Sequence, residues 1–285
     1  MPYQTLISAD QLATELTSDT PPLVFDCSFE LTDADAGRRA YEAGHVPGAR
    51  YLHLDEVLSA AKTGLNGRHP LPALDTFVER VAALGVDNAR QVVAYDNAGG
   101  MFAARLWWML RWAGHADVAV LDGGIAAWKA DGHPVSTDTP AAAPKGDFSR
   151  RQALVQTWGY EDIKANIDHA QRLVLDARAP DRFRGENETL DKIGGHIPGA
   201  RNRLFKDNLG ADGRFKPADQ LRREFDAISG GRAAGDIVHQ CGSGVTACHN
   251  LLAMEVAGLH GAALYPGSWS EYSAQPGALV ATGEA

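Results

Sequence analysis

Short apolar runs alternate along the chain with longer stretches of helical periodicity. Runs of this length, bounded by turn residues, predict buried strands. The predicted strands are Val24–Asp26, Val92–Tyr95, Val118–Leu121, Leu173–Asp176, Ile237–Gln240 and Ala263–Tyr265. The predicted helices are Leu74–Leu84, Phe102–Ala113, Gly124–Ala130, Ala218–Ile228 and Val245–Ala257. This alternation predicts an α/β fold with mainly parallel sheets covered by helices on both faces.

The chain also contains a long internal repeat. A strand that ends at Asp26 is followed by Gly44–Arg50, and a strand that ends at Asp176 is followed by the closely similar Gly195–Arg201. A second pair of strands, which lead to Asp96 and Cys241, recurs in the same order at nearly the same spacing. Two long copies indicate a tandem duplication rather than a solenoid of many short repeats.

The repeat predicts two domains, over residues 1–140 and 151–285. The stretch Pro134–Pro144 lies at the end of the first copy and contains three prolines among small residues, a composition typical of a semi-extended linker. A length of 285 residues agrees with two domains at roughly 150 residues each.

Composition and charge exclude several classes of protein. The net charge of −9 argues against non-specific nucleic-acid binding. The most apolar stretch, Leu106–Leu110, is ended by Arg111 and is far too short to span a membrane. The N-terminal residues show no secretory signal, and three cysteines cannot build a disulfide framework. We therefore expect a cytoplasmic protein with reduced thiols and no membrane partner.

Cationic side chains are concentrated in the second half of this acidic chain. The group consists of Arg178, Arg182, Arg184, Lys192, Arg201, Arg203 and Lys206. A locally basic field indicates a small anionic ligand, and a solvated charged surface is the alternative.

The strand-to-helix junctions are where we look for chemistry, because ligands of parallel α/β folds bind at the carboxyl ends of strands. In the second copy, Cys241 ends a strand, and Gly242 and Gly244 allow the backbone to curl tightly. A helix begins at Val245 and Thr246, so several backbone N–H groups there have no partner within the helix. These groups can converge on the sulfur and favour the thiolate, the nucleophilic form of cysteine.

The corresponding junction of the first copy carries Asp96 in place of the cysteine. A carboxylate cannot form a sulfur–sulfur bond, so we predict that the first domain is catalytically silent. Cys248 lies inside a predicted helix, and Cys27 follows the strand that ends at Asp26; both are interpreted as structural thiols.

A cysteine in an anion-binding loop admits two chemistries. Phosphate-ester hydrolysis through a phosphocysteine needs a longer loop that is closed by an arginine, and this chain has Ala247 at that position. Carriage of a sulfur atom as a persulfide needs only a tight loop of N–H donors, so the sequence favours it.

The segment Cys241–Ala247, together with Gly195–Ala200 and a strand-end aspartate, resembles the rhodanese superfamily. Two copies with a cysteine only in the second are similar to its tandem-domain sulfurtransferases. The resemblance implies that Cys241 takes sulfur from a small anionic donor and passes it to cyanide or to a thiol acceptor such as thioredoxin or glutathione. It implies no metal and no organic cofactor, and the ten histidines show no metal-ligand spacing with the cysteines.

The loop residues Gly242 and Ser243 are similar to the branch of the superfamily that uses 3-mercaptopyruvate. The thiosulfate:cyanide branch typically carries Arg-Lys at these positions, which this chain lacks. A thiosulfate sulfurtransferase and a persulfide-relay module that docks a protein partner are the alternatives.

The resemblance also implies roles for individual residues. The predicted catalytic residues are Cys241 as nucleophile, Ser243 as a proton relay or sulfur ligand, His45 and Asp35. The predicted substrate-binding residues are Arg182, Lys192, Gly242, Gly244, Val245 and Thr246. Lys192 is included because the stretch before Gly195 lacks the second substrate arginine that the resemblance leads us to expect.

Overall fold

The computed structural model describes residues 2–284, which form two units, each built on a five-stranded parallel sheet. The first unit contains the chain up to Ser59, Pro72–Leu154 and Leu209–Phe215. The second unit contains Ala60–Leu71, Val155–Asn208 and the chain from Lys216 onward. The segment Ala60–Leu71 therefore packs in the second unit, although its position in the chain lies within the first copy of the repeat.

The first unit has five strands and six α-helices. The strands are β1 (Leu6–Ile7), β2 (Leu23–Asp26), β3 (Arg50–Tyr51), β4 (Val92–Tyr95) and β5 (Val118–Leu121). The helices are α1 (Ala9–Glu15), α2 (Ala36–Ala43), α3 (Leu54–Val57), α4 (Leu74–Ala83), α5 (Ala103–Trp112) and α6 (Gly124–Ala130). The order of strands in the sheet is β1-β5-β4-β2-β3.

The second unit has five strands and five α-helices. The strands are β6 (Gln156–Thr157), β7 (Leu173–Asp176), β8 (Arg201–Asn202), β9 (Ile237–Gln240) and β10 (Ala263–Leu264). The helices are α7 (Tyr160–His169), α8 (Pro180–Arg184), α9 (Ala218–Ser229), α10 (Thr246–Val256) and α11 (Ser268–Tyr272). The order of strands, β6-β10-β9-β7-β8, repeats that of the first sheet.

The predicted α/β fold with parallel sheets is confirmed. The central strands pair in parallel register, with Leu23 opposite Val92 in one sheet and Leu173 opposite Ile237 in the other. Every residue of these central strands is buried, which explains why they appear as continuous apolar runs in the sequence. Four two-residue strands were not predicted, because two residues have no detectable periodicity. Within residues 2–284, no helix is long and apolar enough to cross a bilayer.

The two histidines of the repeated turns make equivalent contacts in their own units. His45 stacks on Tyr41, its Nδ1 lies 2.8 Å from the Tyr41 carbonyl oxygen, and its backbone pairs with Ser136 of the proline-rich stretch. His196 stacks on Phe183, its Nδ1 lies 2.9 Å from the Phe183 carbonyl oxygen, and its backbone pairs with Ala281. The shared geometry indicates that both histidines hold the turn and the segment that closes each unit.

Asp96 fills the strand-to-helix junction of the first unit. Its Oδ1 accepts hydrogen bonds from the N–H groups of Ala98 and Gly100, each at 2.8 Å. Its Oδ2 accepts from the N–H groups of Phe102 and Ala103, at 2.8 and 2.9 Å. The carboxylate of Asp96 therefore occupies a ring of four backbone donors like the one that the sequence predicts around Cys241 in the second copy.

We expect Asp96→Asn to destabilise the protein by about 2 kcal/mol or more, because the amide NH2 would face two N–H donors and leave them without an acceptor. Urea denaturation of the variant and of Asp19→Asn, an exposed site in the same unit, measures the difference. Equal free energies of unfolding for the two variants would contradict the role given to the carboxylate.

Candidate active site

The loop between β9 and α10 curls around the sulfur of Cys241. The side chain is buried, and its Sγ accepts a hydrogen bond from the N–H group of Gly244 at 3.1 Å. Gly244 has φ +76°, and a β-carbon there would lie 2.2 Å from the carbonyl oxygen of Pro266. This position therefore requires glycine for its conformation and for the close approach of the backbone.

The first turn of α11, which follows β10, holds the main chain of the Cys241 loop. The Ser268 hydroxyl accepts a hydrogen bond from the Cys241 N–H at 3.1 Å, and it donates to the Tyr265 carbonyl at 2.9 Å. The N–H groups of Trp269 and Ser270 donate to the carbonyl oxygens of Cys241 and Gly242, at 3.0 and 2.9 Å. These bonds fix the main chain on both sides of Cys241.

The loop serine has a histidine partner. Ser243 Oγ lies 2.7 Å from Nδ1 of His69, and both residues are buried. His69 belongs to the segment Ala60–Leu71, which closes on itself through a bond from Ala60 N–H to the Pro70 carbonyl at 2.8 Å. His69 was not predicted from the sequence, because it lies between predicted elements. Only tertiary packing brings its segment to the loop.

His45 and Asp35, the other predicted catalytic residues, lie in the first unit. The ring nitrogens of His45 lie 2.8 and 3.1 Å from the carbonyl oxygens of Tyr41 and Asp138, so main-chain groups occupy both. Asp35 is exposed at the start of α2, and its side chain makes no capping hydrogen bond there. His69 lies at hydrogen-bond distance from the loop serine, whereas His45 contacts main-chain carbonyl groups of its own unit.

Two guanidinium groups lie beside the loop. A β-carbon on Gly242 would lie 2.6 Å from Arg68 Nη2 and 3.6 Å from Arg182 Nη2. Arg182, on α8, is the arginine that the sequence analysis predicted for the substrate anion. Arg68 was not predicted, and it comes from the same segment as His69.

Two carboxylates hold these arginines. Arg182 donates from Nη2 to Glu188 Oε1 at 2.8 Å, and the same nitrogen lies 3.4 Å from Asp191 Oδ2. Asp191 also accepts from Arg68 Nη1. Burial raises the pKa of the Glu188 carboxyl, but hydrogen bonds from Arg182 and from the Leu190 N–H outweigh this effect, so its pKa is lowered overall.

Glu188 is held in turn by a buried ion pair. Arg178 donates to Asp176 at 2.7 Å, lies 3.4 Å from Glu188, and stacks over the Trp269 ring at 4.7 Å. Asp176 is the last residue of β7. The series of ion pairs that reaches the loop therefore begins at the end of a sheet strand. A buried charge of this kind is stable only when it is paired and hydrogen-bonded.

Lys192 lies at the rim of the site rather than at the loop. It is exposed and lines a pocket of about 420 Å³ together with Arg68, Asp191 and Ser270. The pocket therefore reaches from the surface to residues that touch the loop.

The two other cysteines, Cys248 and Cys27, are also buried. Cys248, inside α10, donates its S–H to the Gly244 carbonyl at 3.3 Å. Burial, with the charges of Asp26 and Asp96, raises the pKa of the Cys27 thiol well above its ordinary value. Among residues 2–284, no group of three or more His, Cys, Asp or Glu side chains is arranged to hold a metal ion.

Comparison with known proteins identifies the class. The model of the rhodanese-like domain matches residues 8–131 and 160–275. A probable 3-mercaptopyruvate sulfurtransferase of Pseudomonas aeruginosa is 45% identical over 98% of both chains. A putative thiosulfate sulfurtransferase of Mycobacterium tuberculosis is 36% identical over 99% of this chain and 98% of its own. The SseA structure of Escherichia coli, described as a 3-mercaptopyruvate sulfotransferase, is 30% identical, with TM-score 0.81, over 94% of this chain and 99% of that one.

These matches span nearly the whole chain and include both units. The chain therefore belongs to the rhodanese family. It is a sulfurtransferase with two rhodanese-like domains, as the resemblance of its motifs predicted.

We expect Gly244→Ala to destabilise the protein by about 1–3 kcal/mol more than Gly199→Ala. Both glycines have positive φ, but a β-carbon at Gly199 would have no neighbour within 4 Å, whereas the one at Gly244 would meet Pro266. The pair separates the clash from the conformational strain that both variants share. Urea denaturation measures both variants, and an equal loss of stability would show that the loop does not need this close approach.

Proposed function

We propose that this chain transfers the sulfur of 3-mercaptopyruvate through a persulfide on Cys241 to a thiol acceptor or to cyanide. The observation that carries the proposal is the Cys241 loop, in which a backbone donor faces the sulfur and a serine–histidine pair lies two residues away. The names of the relatives from Pseudomonas aeruginosa and Escherichia coli support the choice of donor.

In the first half-reaction the Cys241 thiolate attacks the sulfur of the donor. The sulfur–sulfur bond forms as the carbon–sulfur bond breaks, and the electron pair of the broken bond leaves with the carbon as the enolate of pyruvate. The proton of the donor thiol ends on that carbon, which completes pyruvate. The sulfur is oxidised and the carbon is reduced, so no external oxidant or cofactor takes part.

The serine–histidine pair suits the proton transfer that this reaction requires. Ser243 Oγ and His69 Nδ1 are at hydrogen-bond distance, and both can donate or accept a proton as a relay. Arg182 beside the loop suits the carboxylate of the donor. The N–H groups of Gly244 and of the first turn of α10, including Val245 and Thr246, favour the negative charge on the sulfur.

In the second half-reaction an acceptor thiolate or cyanide attacks the outer sulfur of the persulfide. The Cys241 thiolate leaves and is ready for the next donor, which is ping-pong covalent catalysis. We propose thioredoxin or glutathione as the acceptor class. Among residues 2–284 the three cysteines form no disulfide, which suits a reducing compartment, and we propose a cytoplasmic location on that ground.

Thiosulfate is the second candidate donor. The relative from Mycobacterium tuberculosis carries that name, and a guanidinium pair beside the loop also suits a dianion. Attack of the thiolate on thiosulfate releases sulfite and moves no proton. The two donors therefore make different demands on the residues around Cys241. A persulfide relay to a protein partner remains the third possibility.

Release of thiocyanate, with cyanide as acceptor and either donor saturating, tests the reaction. We expect faster turnover with 3-mercaptopyruvate than with thiosulfate, and loss of both in Cys241→Ser because the serine cannot form a persulfide. Faster turnover with thiosulfate would reject the proposed donor but keep the nucleophile. Absence of turnover with either donor would favour the relay.

The two donors also test the serine–histidine pair. We expect His69→Asn and Ser243→Ala to slow turnover of 3-mercaptopyruvate by about a hundredfold, because each removes the proton relay. Turnover of thiosulfate should fall far less, so the donor itself serves as the control. The double variant should be no slower than either single one, because the two residues act as a unit.

His45→Asn completes this set of steady-state measurements. We expect it to slow mercaptopyruvate turnover far less than His69→Asn, because the ring of His45 is held by carbonyl groups of its own unit. A larger loss with His45→Asn than with His69→Asn would return the catalytic role to the histidine of the repeated turn.

A further inference from the structure

The guanidinium group of Arg68 has no role in the transfer from 3-mercaptopyruvate described so far. It lies at the same loop glycine as Arg182, since a β-carbon on Gly242 would be 2.6 Å from Arg68 Nη2 and 3.6 and 3.7 Å from the two terminal nitrogens of Arg182. Two guanidinium groups that converge beside a nucleophile form a binding site for a small anion. One of the two was expected from the sequence, and the other was not.

The main chain of Arg68 is held firmly in the second unit. Its N–H donates to the Ser270 hydroxyl at 3.0 Å, and the N–H of Ser270 donates to the Gly242 carbonyl. Gln275 Nε2 donates to the Leu65 carbonyl at 2.8 Å, which ties the segment down a second time. These bonds fix the main chain of Arg68 beside the loop, and the bond from its guanidinium to Asp191 holds the side chain.

The two guanidinium groups remain within reach of a ligand. The side chain of Arg68 is 25% exposed and that of Arg182 is 18% exposed, whereas that of Arg178 is 1% exposed and committed to its carboxylates. The pocket of about 420 Å³ that Arg68 lines gives a small molecule access from the surface. Arg68 and Arg182 are therefore suited to bind a ligand, and Arg178 to hold the structure.

Asp191 lies between the two arginines. It accepts from Arg68 and lies 3.4 Å from Arg182, and its side chain is only 7% exposed. Its two bonds join the arginines into one network with Glu188, which holds Arg182 from the other side. A carboxylate that enters the site competes with that of Asp191 for the same donors.

We propose that Arg68 and Arg182 together bind the carboxylate of the sulfur donor, and that Asp191 is the counter-ion which the donor displaces. Arg68 thereby takes the place of the second substrate arginine that is missing before Gly195. The inference rests on the proposed function, because it assigns the carboxylate subsite of the same reaction. It makes Arg68 a specificity-determining residue and limits Lys192 to the rim of the pocket.

Steady-state kinetics with 3-mercaptopyruvate test the assignment. We expect Arg68→Ala to raise KM by about tenfold or more and to change kcat much less, because the residue binds the donor and takes no part in proton transfer. Asp191→Asn should lower KM, since it removes the competing carboxylate. Arg184→Ala is the matched control, because Arg184 lies on the same helix as Arg182 but is paired with Glu186 at the surface.

Gly242→Ala gives an independent test that keeps both arginines. The φ of Gly242 is outside the left-handed region, so alanine is compatible with the backbone, but its β-carbon would push Arg68 Nη2 away from the loop. We expect KM to rise as in Arg68→Ala. The variant that combines Gly242→Ala with Arg68→Ala should have a KM no higher than either single variant, because the added β-carbon then has no Arg68 guanidinium to displace.

Pyruvate is the product that keeps the carboxylate. Its binding tests the role of Arg68 without requiring the sulfur-transfer reaction. Calorimetry on Cys241→Ser should show pyruvate binding that weakens by about tenfold when Arg68→Ala is added and is unchanged by Arg184→Ala. No turnover of 3-mercaptopyruvate by the wild type would refute the proposed function. If the wild type turns over 3-mercaptopyruvate, a KM and a pyruvate affinity in Arg68→Ala equal to those in Arg184→Ala would refute only the role of Arg68. A higher KM in Asp191→Asn would show that Asp191 positions the arginines and would overturn the displacement.

Discussion

The junction between a central strand and the following helix presents backbone N–H groups that need a hydrogen-bond acceptor. The structure of each unit at this junction depends on which residue supplies that acceptor. In the first unit the carboxylate of Asp96 accepts four such bonds and leaves nothing for a ligand. In the second unit Cys241 stands in the same place, and its sulfur accepts one of them, from Gly244. The two equivalent junctions therefore differ in their acceptor, which is a carboxylate in the first unit and a cysteine sulfur in the second.

The charges around the loop depend on the sheet in the same way. Asp176 ends β7 and holds Arg178, Arg178 contacts Glu188, and Glu188 holds Arg182 beside the loop. Each of these four side chains is buried or half-buried and already paired. The geometry of the series is therefore fixed before a ligand binds. The position of Arg182 beside the loop is therefore set through three ion pairs that begin at the sheet.

Much of the fold and the centre of the site could be predicted from local patterns. The central strands are buried on both faces, so their apolar runs predicted both sheets, and the recurrence of Asp26 and Asp176 with the turns that follow them predicted the duplication. Cys241 and its glycines were found because their chemistry lies in one short stretch at a strand end. The two-residue edge strands and the short helix α8 carry no such pattern.

The sequence by itself determined the two parallel sheets and the different residues, Asp96 and Cys241, that follow equivalent strands, because each depends on residues that are neighbours in the chain. Only the tertiary structure decided which histidine and which second arginine lie beside the loop. His69 and Arg68 come from a segment that lies far from Cys241 in sequence and packs in the second unit through bonds to Ser270. Hydrogen bonds of this kind join positions about 170 to 200 residues apart, and no local periodicity records such pairings.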